Sequence, residues 1–236
     1  MNSQTIQPPN HVRSAYEEVL EAFRTTVEDA NLTLLLPSRP LPSSFVGVDS
    51  TSAVFTGCFY LKGWPCRRLA RPKRLDIVVK AIETFARPSW SLARSTVYVN
   101  YFVVSESGVR LVQSLHYDFV EEGPVDHPYF HVQLTDEVIP ADDLRSTHFE
   151  LELPGQHESN DCWVTTRIPT PDMTLASVIY CLVADHLAAE NFAQFAETVQ
   201  SIQNRLPAPS FESIKKSLEK SSIHFKSSHW FAHMQK

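Results

Sequence analysis

Glycine is scarce in this sequence. Six occur, at Gly47, Gly57, Gly63, Gly108, Gly123 and Gly155, and they form no glycine-rich loop. A backbone that cradles phosphates needs several glycines close together, so their dispersal argues against a Walker P-loop and against a Rossmann fingerprint. No Gly-x-Ser-x-Gly is present, which removes the simplest serine-hydrolase reading. Cysteine is sparse as well. Cys58, Cys66, Cys162 and Cys181 contain no Cys-x-x-Cys pair, against a zinc ribbon, a thioredoxin-like site or a disulfide scaffold. That usage fits a reducing cytoplasm. Long apolar runs are missing: Val97 to Val104 and Ser177 to Val183 fall far short of the roughly 20 residues that cross a bilayer. The first ten residues lack the basic start and apolar core of a secretory signal. Excess positive charge is absent too. A net charge of −6 and a pI near 5.9 argue against a dedicated nucleic-acid binder and leave room only for a local basic patch.

What is present describes a folded chain. With 43% hydrophobic and 20% charged residues, 236 residues can bury a proper core. Val12, Tyr16, Val19, Leu20, Phe23 and Val27 recur at helical spacing with Glu17, Glu18, Glu21 and Arg24 opposite, predicting an amphipathic helix from a cap at Asn10 to near Asn31. Leu32 to Leu36 reads as a short strand or an extended connector. Phe45 to Val48, Ser52 to Leu61 and Thr96 to Ser105 read as strands, the last of them central. So do Thr147 to Leu153 and Cys162 to Ile168. Leu75, Val78, Val79, Ile82 and Phe85 fit a three-turn helix stopped at Arg87-Pro88. A capped apolar helix begins at Pro171 or Asp172 and runs to Leu187, and a second spans Asn191 to Arg205. The expected fold is α+β: a mostly antiparallel sheet with an N-terminal helix, one inserted helix and C-terminal helices packed on one face. Residues 1–206 form a single α+β domain in this reading, and 207–236 a helical C-terminal tail.

Chemistry concentrates between Val109 and Leu134. Two strand-like runs, Val109 to Val120 and Tyr129 to Leu134, flank a loop with Gly123-Pro124, which predicts a β-hairpin. Alternation puts His116 and Asp118 on one face of the first strand, and Tyr129, His131 and Gln133 on one face of the second. With a suitable register, His116, Asp118 and His131, joined by His127, supply metal ligands or acid-base groups. The alternative is that they are partly buried sheet residues satisfied by cross-strand hydrogen bonds. No cofactor is expected unless these histidines hold a divalent metal such as zinc. His229 and His233 form a second spaced pair, in the tail.

A second signal lies in Lys62, Trp64, Arg67, Arg68, Arg71, Lys73 and Arg74, a run of cations around an aromatic and without an acid. Such a segment contacts a protein partner or a nucleic acid, or is simply a solvated loop. The order of elements, with Asp126-His127-Pro128-Tyr129-Phe130 and the Thr-Leu-Ala-Ser-Val helix start at Thr174 to Val178, resembles ubiquitin-conjugating and RWD-type domains over about Tyr16 to Leu187. No Asn follows His127-Pro128 and no cysteine stands in the next dozen residues, so the resemblance implies a non-catalytic, partner-binding domain.

Two functions are carried forward. One is a cytoplasmic accessory or binding subunit of a multi-protein assembly, gripping partners through the 62–74 segment and the aromatic tail. The other is a small histidine-dependent hydrolase or nuclease, with or without a metal, working through His116, Asp118, His127 and His131. No membrane association is expected in either.

Overall fold

Long β-branched and aromatic stretches in the middle of the chain settle into one antiparallel sheet. In the computed structural model, residues 4–5, 8–35, 45–47, 49–66, 73–105, 108–120, 130–135, 167–169 and 174–208 are described. The strands are β1 (Gln4–Thr5), β2 (Thr33–Leu35), β3 (Phe45–Gly47), β4 (Ser52–Cys66), β5 (Lys73–Ala86), β6 (Ser91–Ser105), β7 (Gly108–Val120), β8 (Phe130–Thr135) and β9 (Arg167–Pro169). Their order is β1-β3-β4-β5-β6-β7-β8-β9, and β2 pairs with β4 beside β3. Among the described residues, helices α1 (Asn10–Asp29), α2 (Leu175–His186) and α3 (Ala189–Ile202), with a 3-10 turn at Gln203–Arg205, join the sheet in an α+β fold. Among the described residues no helix is long and apolar enough to cross a membrane.

The inserted helix does not exist. Leu75 to Phe85 belongs to β5, paired with β4 on one side and β6 on the other. Ile77, Val79, Ala81 and Phe85 point to the helix-covered face, and Val78 is buried on the opposite one. A strand buried on both faces loses its polar alternation, and its apolar residues then mimic a helical stripe. Stiff χ1 angles in Ile77-Val78-Val79 favour the strand. The Asn10 cap is also corrected: α1 starts at Asn10 behind Pro9, with no side-chain cap. Its carboxamide instead accepts from Arg13 at 3.3 Å. Helix α2 begins at Leu175 rather than at Pro171 or Asp172, and its cap is Thr174, which accepts from the Ser177 N–H at 3.3 Å. The strand expected at Thr147 to Leu153, residues 162–166 and the tail from residue 209 lie outside the described residues. Ala208 still accepts from the Leu92 N–H at 2.9 Å, so the chain remains bonded to the sheet just past 206.

One core holds the two layers together. Val12, Val19 and Phe23 of α1 and Val178, Ile179 and Phe195 of α2 and α3 bury against Phe55, Phe59, Val79 and Val97 of the sheet. Each such side chain contributes about 1.5–3 kcal/mol when fully buried. Within it sits a carboxylate. Glu83 of β5 is fully buried and accepts from the Tyr16 hydroxyl, from Ser95 Oγ at 3.0 Å and from the Leu175 N–H at 2.9 Å. That places a charge at the N-terminus of α2, where the helix dipole favours it. Burial first, then the charge and hydrogen bond of Glu83, hold the Tyr16 phenol well above its usual pKa.

A second buried acid shapes β4. Asp76 accepts from the Tyr60 hydroxyl and from the Gly63 N–H at 2.8 Å. Gly63 has φ of 68°, inside a bulge between Leu61 and Trp64. The bulge restores the alternation so that Trp64 enters the core. His186, at the end of α2, donates from Nδ1 to the Pro65 carbonyl at 2.9 Å and anchors the bulge from above.

At the turn into β4, Asp49 accepts from Thr51 Oγ1 at 2.7 Å, the Thr51 N–H at 2.6 Å and the Ser52 N–H at 2.8 Å. These bonds, the Thr51 hydroxyl foremost, lower its pKa to about 2. A carboxylate with a depressed folded pKa stabilises the fold above its unfolded value, near 4, and that contribution fades as pH falls toward 2. Carboxyl NMR titration should therefore find the Asp49 midpoint near 2. A midpoint at the ordinary value would mean that the turn is not formed in solution.

Candidate acid-base site on the second face of the sheet

Strand pairing decides which polar residues meet. Tyr98 of β6 pairs with His116 of β7, and His116 with Gln133 of β8. In the adjoining row Thr96 pairs with Asp118, and Asp118 with His131. All six lie on the face of the sheet opposite α1, α2 and α3. The hairpin expected from the sequence is therefore formed in a register that sets two histidines, a carboxylate and an amide side by side.

The geometry is tight around Asp118. His116 Nε2 stands 3.7 Å from Asp118 Oδ1, an ion-pair distance once the ring is protonated. Thr96 Oγ1 donates to the same oxygen at 2.7 Å. The His116 and His131 ring centroids are 6.4 Å apart, and Tyr98 stacks on His116 at 4.6 Å with the planes 13° apart. His131 is fully buried and Asp118 nearly so, whereas the His116 side chain is 18% exposed. Burial alone raises the Asp118 pKa. The polar contacts of His116 and Thr96, with the positive potential of the two imidazoles, outweigh it and leave the carboxyl below its usual value. Asp118 is thus ionised at neutral pH, beside the His116 imidazole. Along the strand, Asn100 donates to Ser114 in a further buried pair that fixes the same polar face.

Tyr98 and Thr96 carried no signal of their own in the sequence. They stand in an apolar strand, and their polar groups acquire meaning only once β6 is aligned with β7. His127 and Tyr129 lie outside the described residues. Among the described residues no three His, Cys, Asp or Glu side chains are grouped to hold a metal ion.

The basic segment comes out differently. Trp64 is fully buried, 6.0 Å from the Phe23 ring and 5.9 Å from that of His186. It cannot stack on a base, which corrects the expectation of an exposed aromatic. Lys62 and Arg74 are exposed, and Arg74 donates to the Gly63 carbonyl at 3.3 Å. Arg67, Arg68 and Arg71 lie outside the described residues, as does the Lys73 side chain. On the opposite layer a groove of about 540 Å³ runs between α1 and α3 past Glu17, Glu18 and Glu21. Its acids are partly neutralised: Arg205 bonds Glu18 at 2.6 Å and Arg24 pairs with Glu21.

Comparison with protein-family models, with curated proteins and with solved structures finds no match for this chain.

Proposed function

We propose that the chain is a small histidine-dependent hydrolase whose working group is the His116–Asp118 pair. The supporting observation is the 3.7 Å approach of His116 Nε2 to a buried, ionised Asp118. A carboxylate in that position orients the imidazole and stabilises the imidazolium that forms during proton transfer. With Nε2 turned to Asp118, Nδ1 takes a proton from water as the water oxygen bonds to the electrophilic centre. The same proton then passes to the leaving oxygen as its bond to that centre breaks. Tyr98, stacked on the ring, and Thr96, bonded to the carboxylate, hold the pair in place. Should His127 join His116 or His131, a zinc ion bound there would supply a Lewis acid.

The accessory-subunit reading loses Trp64 from its 62–74 contact, since that ring belongs to the core; its other contact, the aromatic tail, lies outside the described residues. Lys62 and Arg74 remain as exposed cations for it. A cytoplasmic setting suits either reading and rests on the scattered cysteines alone.

The test is hydrolysis of activated esters and of oligonucleotides by the full chain and by its His116→Gln and Asp118→Asn variants. His116→Gln should cut the rate by about 10²–10⁴-fold, the usual worth of a general acid-base group. His116 is half-buried, so the variant should retain the wild-type circular dichroism and melting temperature. A folded His116→Gln protein with undiminished hydrolysis, or a wild type that cleaves none of these substrates, removes the proposal.

A further inference from the structure

The groove of about 540 Å³ on the helical layer lies between two helices that run antiparallel. Arg205, just past the end of α3, meets Ser14 and Glu18 near the start of α1 at 3.3 and 2.6 Å, whereas Gln194 and Thr198 of α3 share the groove with Ala22 and Thr25 further along α1. Short side chains at Ser14, Ala22 and Thr25 leave the furrow open. A furrow between two antiparallel helices is the seat that a third helix takes in a bundle. From Ser14 to Thr26 it runs about 18 Å at 1.5 Å per residue.

Its surroundings stay acidic after the ion pairs are counted. Glu17, Glu18 and Glu21 each have an arginine: Arg13 at 3.9 Å, Arg205 at 2.6 Å, and Arg24, which Glu28 shares. Asp29 of α1 and Glu190 and Glu197 of α3 have no cation beside them among the described residues, and α3 carries no basic residue at all. Glu190 and Glu197 stand one helical turn to either side of Gln194, on the side of α3 that borders the groove.

The chain leaves the sheet at the same end of this groove. Ala208, held by the Leu92 N–H at 2.9 Å, follows three residues after Arg205. Beyond it come residues 209–236, 28 in number, with five lysines against two glutamates. Phe211, Ile214, Leu218 and Phe225 recur there at helical spacing, with Lys215, Lys216 and Lys220 between them. A helix over 211–225 measures about 22 Å, close to the length of the groove.

We infer that the occupant of the groove is this chain's own C-terminal segment, its 211–225 stretch laid between α1 and α3 with the lysines toward the excess acids. A tethered segment is present at an effective concentration of about millimolar, so it holds the seat against a free basic peptide of equal affinity. The inference is independent of the hydrolase reading, since the groove lies on the other side of the sheet from His116.

The test uses the full chain at low concentration. A zero-length carbodiimide joins a lysine amine to a carboxylate with loss of water, and peptide mass spectrometry locates the links. Lys215, Lys216 or Lys220 should link to Glu17, Glu21, Glu190 or Glu197 within the monomer band. Thr25 is exposed in the groove, so Thr25→Trp should fill it and cut that yield about tenfold, with circular dichroism unchanged. Amide hydrogen exchange over 211–225 gives a second readout. Glu190→Lys/Glu197→Lys, at two exposed positions, should speed that exchange about tenfold, as loss of two surface charge pairs does. Links confined to a dimer band would assign the groove to a second copy and overturn the inference. Absence of these links, or links and exchange that neither variant alters, would overturn it as well.

Discussion

Replacing Glu83 with alanine is expected to destabilise the protein by about 3–5 kcal/mol, because three buried donors lose their acceptor together. Glu83 receives the Tyr16 hydroxyl, Ser95 Oγ and the Leu175 N–H, and so joins α1, β6 and the first turn of α2 to the middle of β5. Each orphaned donor costs about 1–3 kcal/mol, less than additively where the vacated space lets water or a neighbour approach. Glu83→Gln keeps the shape and one carbonyl acceptor but turns an amide against a donor, so it should fall between alanine and wild type. Tyr16→Phe leaves Glu83 its bonds from Ser95 Oγ and the Leu175 N–H and should cost about 1–2 kcal/mol. Urea unfolding of the three variants gives the ranking, and a double-mutant cycle between Tyr16 and Glu83 gives their coupling. A Glu83→Ala midpoint equal to wild type would mean that the carboxylate is not the junction of these elements. The pair also sets a limit at high pH. The fold holds the Tyr16 proton above the ordinary value of 10.0, so this contribution is complete below pH 10 and is lost as pH rises past it.

The parts of this fold that could be read from the sequence are those with one wet side. Helix α1 was legible because Val12, Tyr16, Val19 and Phe23 face the core while Glu17, Glu21 and Glu28 face water. The β7–β8 hairpin was legible because its apolar and polar residues alternate, and parity alone placed His116 with Asp118 and His131 with Gln133. Parity does not fix register. Whether Asp118 meets His131 depends on the length and path of the connection between the strands, and a slip of two residues would separate them without moving either to the other face. Strand β5 failed for the opposite reason. Ile77, Val78 and Val79 are all fully buried, so no periodicity survives to distinguish a strand from a helix. Glu83 was hidden there as well, since an acid inside an apolar run looks like the polar edge of a helix until its three donors are seen.

Trp64 is where sequence context pointed most firmly away from the fold, and its replacement separates the two accounts. Surrounded by Lys62, Arg67 and Arg68, it has the setting of a nucleic-acid stacking residue. The bulge at Gly63 instead turns it beneath α1, where its ring meets Phe23 and His186. Trp64→Ala is therefore expected to cost about 3–5 kcal/mol through the cavity it leaves, with a matching fall in melting temperature. Trp64→Phe should be far milder. It gives up part of the ring volume, but it also removes an indole Nε1 that is buried without a hydrogen-bond partner among the described residues. An unsatisfied buried donor costs about 1–3 kcal/mol, so the two terms oppose each other and the net change should stay within about 1 kcal/mol. A stacking residue behaves otherwise: alanine there weakens oligonucleotide binding and leaves the unfolding midpoint where it was. Thermal and urea unfolding of both variants, beside oligothymidylate anisotropy, discriminate directly. An unchanged midpoint for Trp64→Ala would return Trp64 to the surface and undo the β4 bulge as the device that closes the core.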